Sequence, residues 1–254
     1  MMSLDPDGYI PTLATADVQP AFQAVVNAAV ARLSADYRDG LHSIYLYGSV
    51  ACGNAVKCRS DLDLCLLFSH PLRQEQQDRL SALKQALAEE HPVVSKVDFD
   101  IGTVNEALAP ENRLSWGYWL KHHCRCLYGL DLSVYFERFR PSRALARAIN
   151  GDVAAVLSGY ATLLSRASQA REQQQYQRAA ARKLIRSTNM LRTDNDIDWP
   201  RSLEDHVVRF VALYPEREDA ITFFLAESKT PQATVAEFTS RLNDFSRWLL
   251  QQLG

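Results

Sequence analysis

The spacing of hydrophobic positions changes along this chain. In the first half, short apolar runs alternate with longer segments whose apolar residues recur every three or four positions. The runs predict three strands: Ile44–Tyr47, Asp61–Phe68 and Val93–Ile101. The longer segments predict three helices: residues 17–37, 75–90 and 104–122. Asp17 is expected to cap the first helix, and the alternation is typical of helices that cover a sheet.

The second half has a different pattern. From Ser142 onward strand signals disappear, and alanine and leucine recur at helical spacing. Proline and Asp/Asn breakers separate five predicted helices: residues 142–170, 172–193, 201–213, 216–228 and 232–252. We therefore predict an α+β protein with two domains. Residues 1–140 would contain a small mixed sheet, and residues 141–254 would be all helical.

Two carboxylates open the second predicted strand. Because side chains alternate along a strand, Asp61 and Asp63 project from one side while Leu62 and Leu64 enter the core. Two carboxylates this close repel each other unless a cation lies between them. Mg²⁺ is the natural candidate, since it prefers oxygen ligands and is usually held by carboxylates together with substrate phosphates. The alternative is a solvated strand edge.

A glycine-serine turn follows the first predicted strand. Gly48 can adopt backbone angles closed to other residues and allows the chain to approach a ligand closely. Ser49 adds a hydroxyl and a backbone N–H at the start of a helix. We expect both residues to bind the triphosphate of a nucleotide, with an ordinary turn as the alternative.

A third carboxylate is expected on the third predicted strand. Asp98 and Asp100 lie on the face opposite Val97 and Phe99, so either could complete a metal site. A carboxylate beside two metal-binding ones can also deprotonate an attacking hydroxyl. Asp98 is the first candidate for this catalytic role and Asp100 is the second. The sequence leaves both open.

These residues resemble the nucleotidyltransferase superfamily that includes DNA polymerase β. The superfamily pattern of Gly-Ser, Asp-X-Asp and a later acidic strand residue is matched by Gly48-Ser49, Asp61-Leu62-Asp63, and Asp98 or Asp100. The segment is similar to the aminoglycoside adenylyltransferases and to stand-alone bacterial nucleotidyltransferase-domain proteins, although Cys52 stands where many of them carry a basic residue. The resemblance, which covers roughly residues 1–135, implies two Mg²⁺ ions and transfer of a nucleoside monophosphate, AMP from ATP above all, to a hydroxyl.

Composition narrows the class of protein. The chain has 254 residues, of which 47% are hydrophobic and 23% charged, with a net charge of -2. These values are ordinary for a globular protein and argue against extensive nucleic-acid binding. The N-terminal sequence lacks the pattern of a signal peptide, and no apolar run approaches the length of a spanning helix. We expect a cytoplasmic protein with reduced cysteines and no membrane partner.

The predicted helix 172–193 carries several cations. Arg186 lies three residues after Lys183, so both project from one side of the helix. We predict that Lys183 or Arg186 binds the β- or γ-phosphate, with a solvated charged face as the alternative. Lys57 and Arg59, just before the acidic strand, are competing candidates.

No sequence motif identifies the acceptor of the transferred group. We expect it between the two domains, and we favour a small molecule such as an aminoglycoside over a protein. Trp116 and Trp119 are expected to pack on the sheet, with an aromatic wall for a substrate ring or base as the alternative. A protein-directed AMP transferase or a nucleotide-binding regulatory module of toxin-antitoxin type is the competing function. His122–Cys126 contains zinc-ligand residue types, but their crowding makes a zinc site unexpected.

Overall fold

The computed structural model describes residues 4–13 and 17–254. The described residues divide into two compact units, one within residues 11–139 and the other formed by residues 4–10 together with residues 140–254. In the described part of the chain, no helix has both the length and the apolar character needed to cross a membrane.

A four-stranded mixed sheet forms the centre of the unit 11–139. Its strands are β1 (Leu41–Tyr47), β2 (Leu62–Phe68), β3 (Val97–Thr103) and β4 (Arg125–Gly129). Its helices are α1 (Pro20–Asp36), α2 (Gly48–Ala51), α3 (Gln74–Glu90), α4 (Val104–Leu108) and α5 (Tyr118–His123). The spatial order is β3-β2-β1-β4, with β1 antiparallel to both neighbours and β2 parallel to β3. The predicted α+β fold with a small mixed sheet is confirmed.

The sheet buries one face against α1 and α3. Leu62 and Leu64 of β2 are completely buried there, in one cluster with Leu33 of α1 and Leu87 of α3. Burying a leucine side chain contributes about 2 kcal/mol, so the leucines strongly fix which face of β2 points inward. Alternation along the strand then places Asp63 on the opposite face.

Several predicted boundaries differ from the structure, and local hydrogen bonds explain the starts of α1 and β3. Helix α1 begins at Pro20, because Gln19 extends away from the helix and exchanges hydrogen bonds of 3.3 and 3.0 Å with the backbone of Ala55. Asp17 therefore does not cap it. Strand β3 begins at Val97 rather than Val93, because the preceding residues form a turn that bonds to the loop before β2.

The predicted helix 104–122 is interrupted. Pro110 lacks a backbone N–H, so α4 ends before it, and a 3₁₀ turn and a π-helical turn, Arg113–Gly117, lead into α5. Strand β4, which the apolar pattern was too short to predict, follows directly. At its end Gly129 has a φ of +78°, and a Cβ there would lie 1.9 Å from the carbonyl oxygen of His42.

The second unit is helical, as predicted for the second half of the chain. Its helices are α6 (Arg143–Asn150), α7 (Val153–Arg166), α8 (Ala170–Ser187), α9 (Leu203–Leu213), α10 (Glu218–Lys229) and α11 (Val235–Leu253). The predicted helix 142–170 is in fact two helices, because Gly151 and Asp152, both weak helix formers, form a turn within it. Leu184, Phe224 and Phe238 are completely or almost completely buried in the core of this unit.

Candidate active site

The chain turns sharply where β1 meets α2. Gly48 has a φ of +73°, in the left-handed region that favours glycine. A Cβ on Gly48 would also lie 2.2 Å from Oδ2 of Asp63, closer than atoms can approach. The glycine is therefore required both by its backbone conformation and by the contact, and it allows the Asp63 carboxylate to lie against the start of α2.

Asp61 is held by the turn that precedes β3. The Leu62 N–H donates to the carbonyl of Lys96 at 2.9 Å, and the Ser95 N–H donates to the carbonyl of Ser60 at 2.9 Å. The Ser95 hydroxyl donates to Oδ1 of Asp61. These bonds join the loop before β2 to the start of β3, and they bring Asp61 to the edge of the same site as Asp63.

Three carboxylates meet across β2 and β3. Asp63 and Asp98 are direct partners in the parallel register. Asp61, Asp63 and Asp98 each offer an oxygen within 4.8 Å of the others, and all three are partly buried. Within residues 4–13 and 17–254, no other group of His, Cys, Asp or Glu has the geometry to hold a metal ion. The oxygen donors suit Mg²⁺, which accepts such ligands and completes its shell with phosphate and water.

The electrostatics of the cluster favour a cation. Burial, followed by the negative charges of Asp61 and Asp98, raises the pKa of Asp63 from 3.8 to about 6. Burial also acts to raise the pKa of Asp98, but the hydrogen bond and charge of Lys96 and the charge of Lys84 hold this pKa below its ordinary value. The charge of Lys96 opposes this rise but does not cancel it, so the side chains of the protein compensate the negative charge of Asp63 only in part.

Lysine neighbours lie directly on the cluster. Nζ of Lys96 bonds to Oδ2 of Asp98 and lies 3.5 Å from Oδ2 of Asp61. Nζ of Lys84, on α3, lies 3.3 Å from Oδ1 of Asp98. Burial acts to lower the pKa of Lys96, but the hydrogen bond to Asp98 and the surrounding carboxylates hold it above its ordinary value. Lys96 is therefore an ammonium ion at neutral pH.

Asp100 is separate from the three-carboxylate cluster. It is exposed, and its Oδ2 accepts a hydrogen bond from the Tyr47 hydroxyl. Burial, together with the negative charge of Asp100, raises the pKa of Tyr47 above its ordinary value, so this hydroxyl keeps its proton. Of the two candidates for the third acid, the structure brings Asp98 into the cluster and leaves Asp100 beside Tyr47.

Aromatic side chains continue this face of the sheet. The ring of Trp119 meets Tyr47 edge-on with centroids 5.0 Å apart, and Trp116 lies 5.4 Å from Trp119. Trp116 packs so closely on β3 that a Cβ on Gly102 would lie 2.6 Å from its Cη2. Both indoles are partly exposed. They pack on the sheet as expected and also leave ring surface for a ligand.

A comparison of the sequence with protein-family models identifies the domain that holds this site. Residues 30–111 match the model of the nucleotidyltransferase domain. The chain carries a nucleotidyltransferase domain. The matched range includes the turn at Gly48-Ser49 and the carboxylates Asp61, Asp63 and Asp98. The family resemblance predicted from these residues is confirmed, and the chain is an enzyme of this kind.

Solved structures support the same fold over most of the chain. The spectinomycin adenyltransferase AAD(9) from Enterococcus faecialis, solved with ATP and spectinomycin, superposes with a TM-score of 0.59 at 15% sequence identity. The match covers 91% of this chain and 98% of that one, so it includes helices that follow the nucleotidyltransferase domain. No curated protein matches this chain.

The two predicted phosphate-binding cations lie on α8 of the helical unit. Lys183 is paired with Asp152, whose Oδ1 lies 2.6 Å from its Nζ. Arg186 is exposed. Burial of His206 lowers the pKa of its imidazole to about 3, and the positive charge of Arg186 adds to this effect. A phosphate-binding role for Lys183 and Arg186 stays a prediction.

Sequence reasoning assigned no role to Lys96, Lys84, Ser95 or Tyr47. Lys96 precedes Asp98 by two residues, so strand alternation alone could have placed both on one face. Lys84 and Tyr47 reach the site through tertiary packing, for which the sequence contains no local signal. His122, considered as a zinc ligand, has both ring nitrogens engaged, at 3.2 Å from the Pro11 carbonyl and 3.0 Å from the Phe139 N–H.

Proposed function

We propose that this nucleotidyltransferase transfers AMP from ATP to a hydroxyl of a small molecule, such as an aminoglycoside, and releases pyrophosphate. One observation carries the proposal: Asp61, Asp63 and Asp98 converge beside the turn at Gly48 within a nucleotidyltransferase domain. The site thus combines a carboxylate cluster suited to Mg²⁺ with a backbone that has room for phosphate.

The side chains of the site have distinct roles in this reaction. Gly48 and Ser49 would bind the triphosphate, and Asp61, Asp63 and Asp98 would hold Mg²⁺, for which we expect two ions. Bound Mg²⁺ neutralises phosphate charge and makes a nearby hydroxyl more acidic. Asp98 accepts the hydroxyl proton as the acceptor oxygen bonds to the α-phosphorus and the bond to pyrophosphate breaks.

Asp98 is suited to this role by its position. It lies opposite Asp63 in the parallel register and offers an oxygen within 4.8 Å of oxygens of Asp61 and Asp63, where an acceptor hydroxyl made more acidic by Mg²⁺ would bind. We further propose that Lys183 or Arg186 binds the β- or γ-phosphate. Arg186 would donate two parallel hydrogen bonds from its planar guanidinium group, and Lys183 would act as a compact positive charge. Lys183 would first have to leave Asp152.

The surroundings of the cluster favour an acceptor with rings and positive charge. Trp116 and Trp119 offer apolar ring surface, and Asp100 offers an exposed carboxylate beside Tyr47. An aminoglycoside combines a sugar ring with ammonium groups, and its rings can pack on indole faces while a carboxylate pairs with an ammonium. The similarly folded AAD(9), solved with ATP and spectinomycin, supports this choice of acceptor class.

The test uses the full chain with ATP, Mg²⁺ and a panel of aminoglycosides that includes spectinomycin. Mass spectrometry is expected to detect an acceptor with one added AMP, and Asp63→Asn is expected to abolish this product while retaining its fold by circular dichroism. AMP attached to a protein band in a lysate would instead favour a protein acceptor. Tight nucleotide binding with no product in either assay would favour a regulatory module and contradict the proposal.

A further inference from the structure

Lys96 occupies an unexpected place in the carboxylate cluster. Its ammonium nitrogen contacts Asp98 and lies 3.5 Å from Oδ2 of Asp61, so it bridges two of the three carboxylates that fit a metal ion. A divalent cation bound through the same oxygens of these two carboxylates would take this place. One pair of carboxylates cannot hold the ammonium and the metal ion in the same position.

The Lys96 side chain is placed to leave without any change in the backbone. Its carbonyl is fixed by the 2.9 Å bond from the Leu62 N–H, but its side chain is 54% exposed. Lysine has a flexible four-carbon side chain, so the ammonium group can move several ångströms while the backbone of Lys96 stays in place. Lys84 differs, because it contacts only one oxygen of the cluster, Oδ1 of Asp98, at 3.3 Å.

The destination of the displaced ammonium follows from charge. When a metal ion binds to Asp61 and Asp98, it repels Lys96 and removes the reason for its position. A triphosphate bound at the Gly48 turn would place new negative charge beside the cluster. Lysine binds phosphate well as a point charge, so a bound nucleotide would give the released ammonium a new partner.

We propose that Lys96 is a resident counter-ion that competes with a divalent cation for Asp61 and Asp98, so that metal binds weakly until a nucleotide arrives. The proposal rests on the proposed function, because it takes the three-carboxylate cluster as the metal site. Lys96 acts here as a positioning residue that couples metal binding to nucleotide binding. In the absence of nucleotide it keeps the carboxylates close together and partly neutralised.

The test is a titration of the full chain with Mn²⁺ alone, in which electron paramagnetic resonance measures the concentration of free Mn²⁺ at each step. We expect Lys96→Gln to bind Mn²⁺ about tenfold more tightly than the wild type, because a competing positive charge is removed. Lys96→Arg keeps the charge and is expected to bind as the wild type does. Lys84→Gln is expected to gain less than about threefold, since Lys84 contacts a single oxygen.

A second titration, with a nontransferable ATP analogue present, measures the coupling. The analogue is expected to tighten Mn²⁺ binding less in Lys96→Gln than in the wild type, a difference that a merely structural role would not produce. Lys96→Ala also removes the ammonium and should repeat both results if Lys96→Gln folds poorly.

Three outcomes would overturn the inference. Unchanged or weaker Mn²⁺ binding in Lys96→Gln would mean that the lysine does not compete with metal. An equal gain in Lys84→Gln would assign the effect to general charge rather than to the bridging position. Absence of Mn²⁺ binding in the wild type and in every variant, with and without the analogue, would reject the metal site itself and with it the proposed function.

Discussion

Replacing Asp63 by asparagine should stabilise the metal-free protein while abolishing its activity. The pKa of Asp63 is raised from 3.8 to about 6, first by burial and then by Asp61 and Asp98. The folded protein therefore binds the Asp63 proton more tightly than the unfolded chain does. Stability from this group is greatest below pH 3.8 and is lost as the pH rises through about 6, so ionised Asp63 destabilises the fold at neutral and alkaline pH.

The size of the effect follows from this difference in pKa. At ~1.36 kcal/mol per pKa unit, the change from 3.8 to about 6 corresponds to about 3 kcal/mol. Solvent screening of a partly exposed carboxylate reduces this value, and we expect a gain of about 1–2 kcal/mol for Asp63→Asn. For a chain of this size the gain corresponds to a rise of about 2–8 °C in Tm.

The assay is thermal unfolding followed by circular dichroism in buffer containing EDTA, at about pH 8 and again at about pH 5. The advantage of Asp63→Asn should be larger at the higher pH. In a parallel series with Mg²⁺ and a nontransferable ATP analogue in place of EDTA, the Tm of the wild type should rise more than that of the variant. Asp39→Asn, an exposed carboxylate of the same unit, serves as the control and should change neither value. A variant no more stable than the wild type at about pH 8 would refute the reasoning.

Three further predictions concern residues of or near the site. Gly48→Ala should abolish transfer, because its Cβ would lie 2.2 Å from Asp63. Gly53→Ala is the control: Gly53 has a φ of +71° but a Cβ there would meet no atom within 4 Å, so this variant should lose about 1 kcal/mol of folding stability and retain activity in the same assay. Asp98→Asn should weaken Mn²⁺ binding at least tenfold and Asp100→Asn less than about twofold, as measured by titration. Arg186→Met should raise the KM for ATP more than Lys183→Met does, because Lys183 is already paired with Asp152; equal effects would contradict this.

The sequence predicted on which face of the sheet Asp61 and Asp63 lie, because alternation along one strand determines it. Once Leu62 and Leu64 are assigned to the core, Asp61 and Asp63 must lie on the other side. The same rule left Asp98 and Asp100 equivalent, since both lie on the same face of β3. Only the parallel register, which pairs Asp63 with Asp98, distinguishes them, and register depends on how two strands meet.

Contacts that arise from tertiary packing were beyond the sequence pattern. Lys84 reaches Asp98 from α3, and Tyr47 reaches Asp100 across the sheet. The prediction of one continuous helix over residues 104–122 was wrong, because the helix is interrupted at Pro110. Proline is a known helix breaker, so this interruption could have been predicted from the sequence. The sequence therefore indicated which carboxylates lie together, and the structure added the lysines and the aromatic residues that surround them.

The central claim is that the cluster of Asp61, Asp63 and Asp98 transfers a nucleoside monophosphate. The most direct measurement compares ATP labelled at the α-phosphate with ATP labelled at the γ-phosphate, each incubated with the full chain, Mg²⁺ and the aminoglycoside panel. Our account predicts that α-label joins the acceptor, that γ-label is released as pyrophosphate, and that Asp61→Asn and Asp63→Asn lose both signals. Transfer of γ-label to the acceptor, or full activity in both variants, would contradict it.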